Sequence, residues 1–184
     1  LPPLDSRDVG LPHNVTNGAA IVINPATGEV LAYVGSVDYW NQALGGALDS
    51  VSRSYEPGSM LRPYIYLTAL SQGYTTATMT LDVPLTLSGA SGAPLEATNR
   101  DGVYAGPVSL REALIRDATP PAVQIMNLVS VPDVIRTAHS MGLTTLHDSP
   151  STYDLSLAVA GGDVSLLDLT YSFSVLANGG HMVG

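Results

Sequence analysis

A serine and an arginine three residues apart, Ser59 and Arg62, form the segment of this sequence that could most directly do chemistry. They lie in the run Pro-Gly-Ser-Met-Leu-Arg-Pro at residues 57–63. Residues three apart on a helix leave the same face, so the two side chains could act together. A serine can be a nucleophile if a neighbouring base removes its hydroxyl proton. A desolvated lysine can be that base, but arginine keeps its proton and offers no lone pair. Arg62 is therefore an oriented cation beside Ser59, and not a proton acceptor.

The composition of the chain excludes several other kinds of chemistry. The 184 residues carry a net charge of −9, so the phosphates of nucleic acid would be repelled and we predict no such partner. All seven basic residues are arginine and there is no cysteine, so neither lysine-dependent nor thiol chemistry is available. The histidines are scattered without metal-binding spacing, and we predict no metal site and no cofactor. They are His13, His139, His147 and His181.

Turn and strand signals dominate the first part of the chain. Residues 1–18 are rich in Pro, Asp, Asn and Gly and have no periodicity, so we interpret them as a linker. Two apolar runs separated by Asn-Pro-Ala-Thr-Gly predict a β-hairpin over residues 19–36. The runs are continuous, which indicates burial on both faces under covering helices. Tyr39 and Trp40 follow the hairpin, and we expect them to pack beneath it.

Helix signals begin at the serine itself. Apolar residues with helical spacing predict a motif helix over residues 59–72, with Pro63 in its first turn, where a missing N–H costs nothing. Later signals predict a helical region over residues 107–180. The first helix of that region should begin with a capping box formed by Ser109 and Glu112.

Five segments of the chain follow one another in a specific order. They are Pro-x-Thr-Gly-Glu at 25–29, Pro-Gly-Ser-x-x-Arg-Pro at 57–63, Gly-Pro-Val-Ser-Leu-Arg-Glu-Ala-Leu at 106–114, Gly-Gly-Asp-Val-Ser-Leu-Leu-Asp-Leu at 161–169 and Phe-Ser-Val-Leu-Ala-Asn-Gly-Gly at 173–180. Together they resemble the transpeptidase domain of class A penicillin-binding proteins, over about residues 19–182. The resemblance implies an α/β (α+β) fold in which helices surround an antiparallel sheet. Residues 19–184 would be the N-terminal part of that domain, without the C-terminal strands.

The resemblance also implies roles for four residues. In the family, the serine of S-x-x-K attacks a stem peptide or a β-lactam and forms an acyl-enzyme; Ser59 matches this nucleophile, and Arg62 stands at the lysine position. A second motif, S-x-N, follows the Leu-Arg-Glu-Ala-Leu helix, where this chain has Asp117 at the serine position and Thr119 at the asparagine position. The third motif, K-(T/S)-G, lies beyond the Asn-Gly-Gly segment, and we expect it to lie beyond the end of this chain.

The two altered motifs are chemically complementary. Because the S-x-N serine approaches the S-x-x-K lysine in the family, we predict an ion pair between Arg62 and Asp117. A bidentate pair would hold Arg62 further in its charged state. Asp117 would then be a poor substitute base, since the arginine stabilises its charged form. Each residue also has a plainer interpretation: Ser59 as a helix N-cap, Arg62 as a solvated helix residue and Asp117 as a turn residue.

Two functions are compatible with these residues. The first is a transpeptidase-type domain of peptidoglycan synthesis with impaired acyl transfer, placed on the extracytoplasmic face of the bacterial membrane by an anchor outside this sequence. Its partners would be a stem peptide or β-lactam and a neighbouring glycosyltransferase domain. The second is a non-catalytic scaffold derived from a transpeptidase. In either case the missing strands would leave an exposed sheet edge, through which the chain could self-associate.

Overall fold

The computed structural model describes residue 15 and residues 17–88, 94–146 and 153–183. Within these residues the strands are β1 (Ala20–Ile23), β2 (Val30–Val34), β3 (Ser54–Tyr55), β4 (Met79–Asp82), β5 (Leu85–Ser88), β6 (Pro94–Ala97), β7 (Gly106–Ser109) and β8 (Val164–Ser165). The helices are α1 (Arg62–Ser71), α2 (Leu110–Ile115), α3 (Thr119–Val129), α4 (Val131–Ser140) and α5 (Leu166–Ala177). Short 3-10 turns occur at Gln42–Leu44, Gly58–Leu61 and Leu155–Ala158. The linker predicted at residues 1–18 lies almost wholly outside the described residues.

The described strands pair only in twos. The four ladders are β1–β2, β3–β8, β4–β7 and β5–β6, and all are antiparallel. The antiparallel arrangement predicted from the sequence is confirmed. The ladders are separate from one another in the described part of the chain.

The helices form the core of the molecule. Helix α1 packs against α3 and α4, and its buried Tyr64 and Ile65 belong to the same hydrophobic cluster as Val123 and Met126 of α3. The Tyr64 hydroxyl donates to Ser172 Oγ at 2.7 Å, which ties α1 to α5. The N-terminal end of α1, where Arg62 lies, is therefore held on a rigid part of the fold. No helix among the described residues is both long and apolar enough to span a bilayer.

The helix boundaries follow the sequence signals with small shifts. The motif helix predicted at 59–72 is a 3-10 turn, Gly58–Leu61, followed by α1, and Pro63 lies in the first turn of α1 as predicted. One half of the expected capping box is present, because Ser109 Oγ accepts the Glu112 N–H at 3.2 Å, while the Glu112 carboxylate accepts from Arg116 Nε at 2.9 Å. The region 107–180 contains the predicted helices, but it also contains strand residues of β7 and β8.

The hairpin predicted at residues 19–36 is present as β1 and β2, but its predicted burial is wrong. All five residues of β2 are exposed, and Leu31 is 59% exposed. The reason is that β2 pairs only with β1, and among the described elements the main helix packed on β1 is α5. Continuous apolar runs indicate a strand, but they do not supply the second covering layer. The expected packing of Tyr39 and Trp40 beneath the hairpin is also wrong, since Trp40 is 85% exposed.

Candidate active site

Ser59 lies in the 3-10 turn that leads into α1. Gly58 begins this turn with a φ of 59°, a conformation that glycine adopts without steric cost. The Ser59 carbonyl accepts the backbone N–H of Arg62, so the two residues are one turn apart. Ser59 is half-buried, and its hydroxyl has no hydrogen-bond partner among the described residues. It caps neither helical segment, because Pro57 and Leu61 occupy those positions. The N-cap interpretation is therefore wrong.

Arg62 is buried, with 5% of its surface exposed, so its interpretation as a solvated residue is also wrong. Its Nε donates to the Ala158 carbonyl at 3.2 Å, and Nη2 donates to Thr119 Oγ1 at 2.9 Å. Its Nη1 contacts Asp117 Oδ1 at 2.6 Å and also donates to the Asp117 carbonyl. These bonds use four of the five guanidinium N–H groups. A buried cation is tolerated when it is satisfied in this way.

The predicted ion pair between Arg62 and Asp117 is confirmed, and its geometry is not bidentate. One nitrogen of Arg62 contacts both the carboxylate and the carbonyl of Asp117, so the pair is not two parallel N–H···O bonds. The Asp117 side chain is 57% exposed, which leaves the carboxylate partly in water. Its φ of 51° places it in a left-handed turn between α2 and α3, so its interpretation as a turn residue holds together with the ion pair.

Thr119 is the first residue of α3 and completes the contact with Arg62. The structure thus brings together Arg62, Asp117 and Thr119. Ser59 lies one turn before Arg62. Arg62 contacts both ends of the segment Asp117-Ala118-Thr119, which is the place assigned to S-x-N from the sequence.

Among the described residues, Asp117 is the one carboxylate in ion-pair contact with Arg62. Tyr66 lies one helical turn further along α1, and its hydroxyl is buried without a hydrogen-bond partner among the described residues. Burial raises the pKa of Tyr66; the charge of Arg62 opposes this shift, while Asp117 and Asp82 add to it. The phenol therefore stays neutral and cannot act as a phenolate base at physiological pH. The site can orient and donate hydrogen bonds, but in the part of the chain that the structure describes no proton acceptor contacts the Ser59 hydroxyl.

Sequence reasoning missed three contributors to this site. Tyr66 could have been found, because it lies four residues after Arg62 on the same helix. The Ala158 carbonyl and Asn99, which accepts the Thr119 N–H at 2.8 Å, come from distant segments and carry no local signal. No cluster of three or more metal-ligating side chains occurs in the described ranges. His139 bonds to the Leu146 carbonyl, while His13 and His147 lie outside the described residues.

Comparison with known proteins assigns this arrangement to a family. The family model described as the penicillin-binding protein transpeptidase domain matches residues 18–183. A protein named penicillin-binding protein 1A from Neisseria flavescens is 32% identical over 168 residues, which is 90% of this chain and 20% of the relative. The protein of the same name from Rickettsia bellii is 27% identical over 169 residues, 91% of this chain and 20% of the relative. The chain therefore spans about a fifth of the length of these relatives.

Solved structures agree with the fold. The structure of PonA1 from Mycobacterium tuberculosis in complex with penicillin V has a TM-score of 0.77 at 21% identity, covering 96% of this chain and 47% of the other. Penicillin-binding protein 1A from Haemophilus influenzae has a TM-score of 0.75 at 21% identity, covering 88% of this chain and 23% of the other. The fold and the arrangement of the site are those of a penicillin-binding transpeptidase-type domain. The chain belongs to the penicillin-binding protein transpeptidase family, and the class A type predicted from the order of its motifs is confirmed.

Proposed function

We propose that this chain is a transpeptidase-type domain of peptidoglycan synthesis whose acyl-transfer step is impaired. One observation carries the proposal: the side chain at the lysine position is an arginine whose donors are engaged by Asp117, Thr119 and Ala158. An arginine held in this way stabilises charge but takes no proton from Ser59. Loss of a general base costs about 10²- to 10⁴-fold in rate. Slow acylation by a strained β-lactam survives such a loss better than cross-linking of stem peptides does.

The proposed setting follows from the family. The substrate would be the stem peptide of peptidoglycan or, as an inhibitor, a β-lactam, and a glycosyltransferase domain would be the neighbour in a longer protein. The domain would act on the extracytoplasmic side of a bacterial membrane. These assignments rest on the relatives named penicillin-binding protein 1A, of which this chain covers only a part.

The experiment is labelling of Ser59 with a fluorescent penicillin. The variants are Ser59→Ala, Arg62→Lys, and the triple variant Arg62→Lys/Asp117→Ser/Thr119→Asn, which restores the family's residue types in the two altered motifs. We expect slow labelling of the parent, none in Ser59→Ala, and labelling in the triple variant that is faster by about 10²-fold or more. Arg62→Lys alone should not reach that rate, because Asp117 would hold the new ammonium in its charged form.

Arg116→Lys is the matched control, since Arg116 is a half-exposed arginine in an ion pair with Glu112 on α2. It should label like the parent. If the parent labels as fast as the triple variant, impairment is wrong and the domain is a competent acyl-transferase. If the triple variant fails to label as well, Arg62 is not what limits the reaction.

A scaffold function is the second candidate, and one observation favours it. The large exposed apolar side chains of β1 and β2 form what we call the hairpin surface. They are Val22, Val30, Leu31, Tyr33 and Val34. Large exposed apolar groups in one region mark interaction surfaces. A scaffold would keep its partner binding in Ser59→Ala, whereas a transpeptidase would lose its activity in that variant.

A further inference from the structure

A chain of hydrogen bonds runs from the site toward a buried carboxylate at the end of β4. Asp82 is 2% exposed, and it accepts Asn99 Nδ2 at 2.7 Å and the Ala105 N–H at 3.0 Å. Asn99 also donates from Nδ2 to the Val103 carbonyl at 2.8 Å. Its Oδ1 accepts the Thr119 N–H at 2.8 Å. Both N–H groups and the oxygen of this carboxamide are therefore engaged within the protein.

The buried carboxylate fixes which way the Asn99 side chain points. An ionised carboxylate only accepts hydrogen bonds, so the group that Asn99 turns toward Asp82 must be its NH₂. The two acceptors, the Asp82 carboxylate and the Val103 carbonyl, lie on the NH₂ side of Asn99. The Asn99 oxygen therefore faces α3. A flipped carboxamide would set an oxygen against the buried carboxylate and an NH₂ against the Thr119 N–H. Such buried mismatches are costly, so one orientation is strongly preferred.

The oxygen of Asn99 accepts a hydrogen bond from the backbone N–H of Thr119. Thr119 is the first residue of α3, and the first N–H groups of a helix have no partner within the helix. Asn99 supplies that partner and so fixes the start of α3. The hydroxyl of the same Thr119 accepts from Arg62 Nη2, so the position of this residue determines where the guanidinium can sit.

We propose that Asp82 and Asn99 are positioning residues for the Ser59 site. The Asp82 carboxylate orients the Asn99 carboxamide. Asn99 then accepts the Thr119 N–H, and the Thr119 hydroxyl accepts from Arg62, which lies one turn after the nucleophile position. The effect of Asp82 and Asn99 on acyl transfer rests on the proposed function, whereas their positioning of Thr119 and Arg62 does not. Asn99 does not replace the missing motif asparagine as a substrate ligand, since both of its N–H groups are already used.

Hydrogen exchange measured by NMR tests the positioning without reference to activity. The two reporters are the Thr119 amide and the Arg62 Nε–H, and the Val123 amide in the buried middle of α3 is the internal reference. In Asn99→Ala we expect the Thr119 amide to exchange about tenfold faster or more, with a smaller increase at Arg62 Nε–H and no change at Val123. Asn127→Ala is the matched control, because Asn127 is an exposed asparagine on the same helix, and it should change neither reporter.

A rescue experiment with a double variant distinguishes a positioning role of Asp82 and Asn99 from a general contribution to stability. Asn99→Asp should disturb both reporters, since two carboxylates would then face each other. Adding Asp82→Asn to Asn99→Asp restores a donor and an acceptor between the two positions, so the double variant should regain most of the Thr119 protection. If Asn99→Ala does not fold, the Asn99→Asp and double variants carry the test.

Two results would overturn the proposal: unchanged Thr119 exchange in the Asn99 variants, or an equal rise in exchange at Val123 and Thr119. Penicillin labelling of the same variants is a separate measurement. If neither the parent nor the triple variant labels, the proposed function fails while the exchange result stands. If exchange is unaffected while the triple variant labels, the proposed function stands and the positioning role fails.

Discussion

The site depends on the shape of one side chain. Arg62 reaches three separate acceptors, the Ala158 carbonyl, Asp117 and Thr119 Oγ1, because its guanidinium is a planar fork with donors on three nitrogens. A lysine carries its donors on one nitrogen and cannot span acceptors on opposite sides of the fork. The arginine therefore does more than remove a base, since it also cross-links the start of α3 to the turn at Leu155–Ala158.

Arg62→Lys should for this reason lower stability, although it restores the family residue. We expect a loss of about 1–3 kcal/mol, because at least one buried acceptor loses its donor. Urea unfolding followed by circular dichroism measures this change. The control Arg116→Lys should stay within about 0.5 kcal/mol of the parent, as exposed pairs contribute little. Equal effects of the two substitutions would contradict the cross-linking role of Arg62.

The Arg62–Asp117 contact could be predicted from the sequence, because both residues fall at motif positions that meet in the family fold. The rest of the site could not. The Ala158 carbonyl lies 96 residues from Arg62 along the chain, and a backbone acceptor leaves no residue-type signal. Asn99 sits in a polar loop where its type suggests only a turn. Long-range contacts between polar groups are set by tertiary packing, which the local pattern does not contain.

Among the secondary-structure elements, the positions of the helices were predicted better than the burial of the strands. Caps, prolines and periodicity located the motif helix and the start of α2, since these signals are local. The hairpin was also found, but its burial was not, because burial depends on which other elements cover it. Strand β2 is instead joined to the loop before β3 by a hydrogen bond from the Tyr33 hydroxyl to Asp49 Oδ2.

Tyr33→Phe tests this link through its pH dependence. The Tyr33 hydrogen bond, with a further one from Ser52, lowers the pKa of Asp49, while the partnership with Asp49 raises the pKa of Tyr33. A carboxyl with a lowered pKa in the folded state stabilises the fold above its unfolded pKa, near 4, and this contribution is lost as the pH falls through the folded value. We expect Tyr33→Phe to raise the Asp49 pKa and to weaken the loss of stability in acid.

Carbon-detected NMR titration of the Asp49 carboxyl measures this shift directly. Tyr39→Phe is the matched control, because Tyr39 is also an exposed tyrosine in the same part of the chain but contacts Trp40 rather than Asp49. It should leave the Asp49 titration unchanged. An Asp49 pKa that is the same in the parent and in Tyr33→Phe would show that the hydrogen bond is not populated in solution.

For the whole molecule, charge and apolar exposure act in opposite directions. The net charge of −9 favours separate molecules through repulsion. The hairpin surface favours association, because β1 and β2 pair only with each other among the described strands, and their outer edges can accept another strand. Salt screens the repulsion but leaves the apolar attraction, so association should increase with ionic strength.

We therefore predict that the chain self-associates through the hairpin surface at high concentration and raised salt. Leu31→Lys should weaken association at least about tenfold, because it removes an exposed leucine from each copy and places a charge beside the strand edge. Sedimentation velocity over a range of concentrations measures the effect. Ile115→Lys makes the same change of charge at an exposed residue of α2, so it should leave the association constant close to that of the parent. Because the two variants share their net charge, a difference between them isolates the contribution of the hairpin, and equal weakening would place the contact elsewhere.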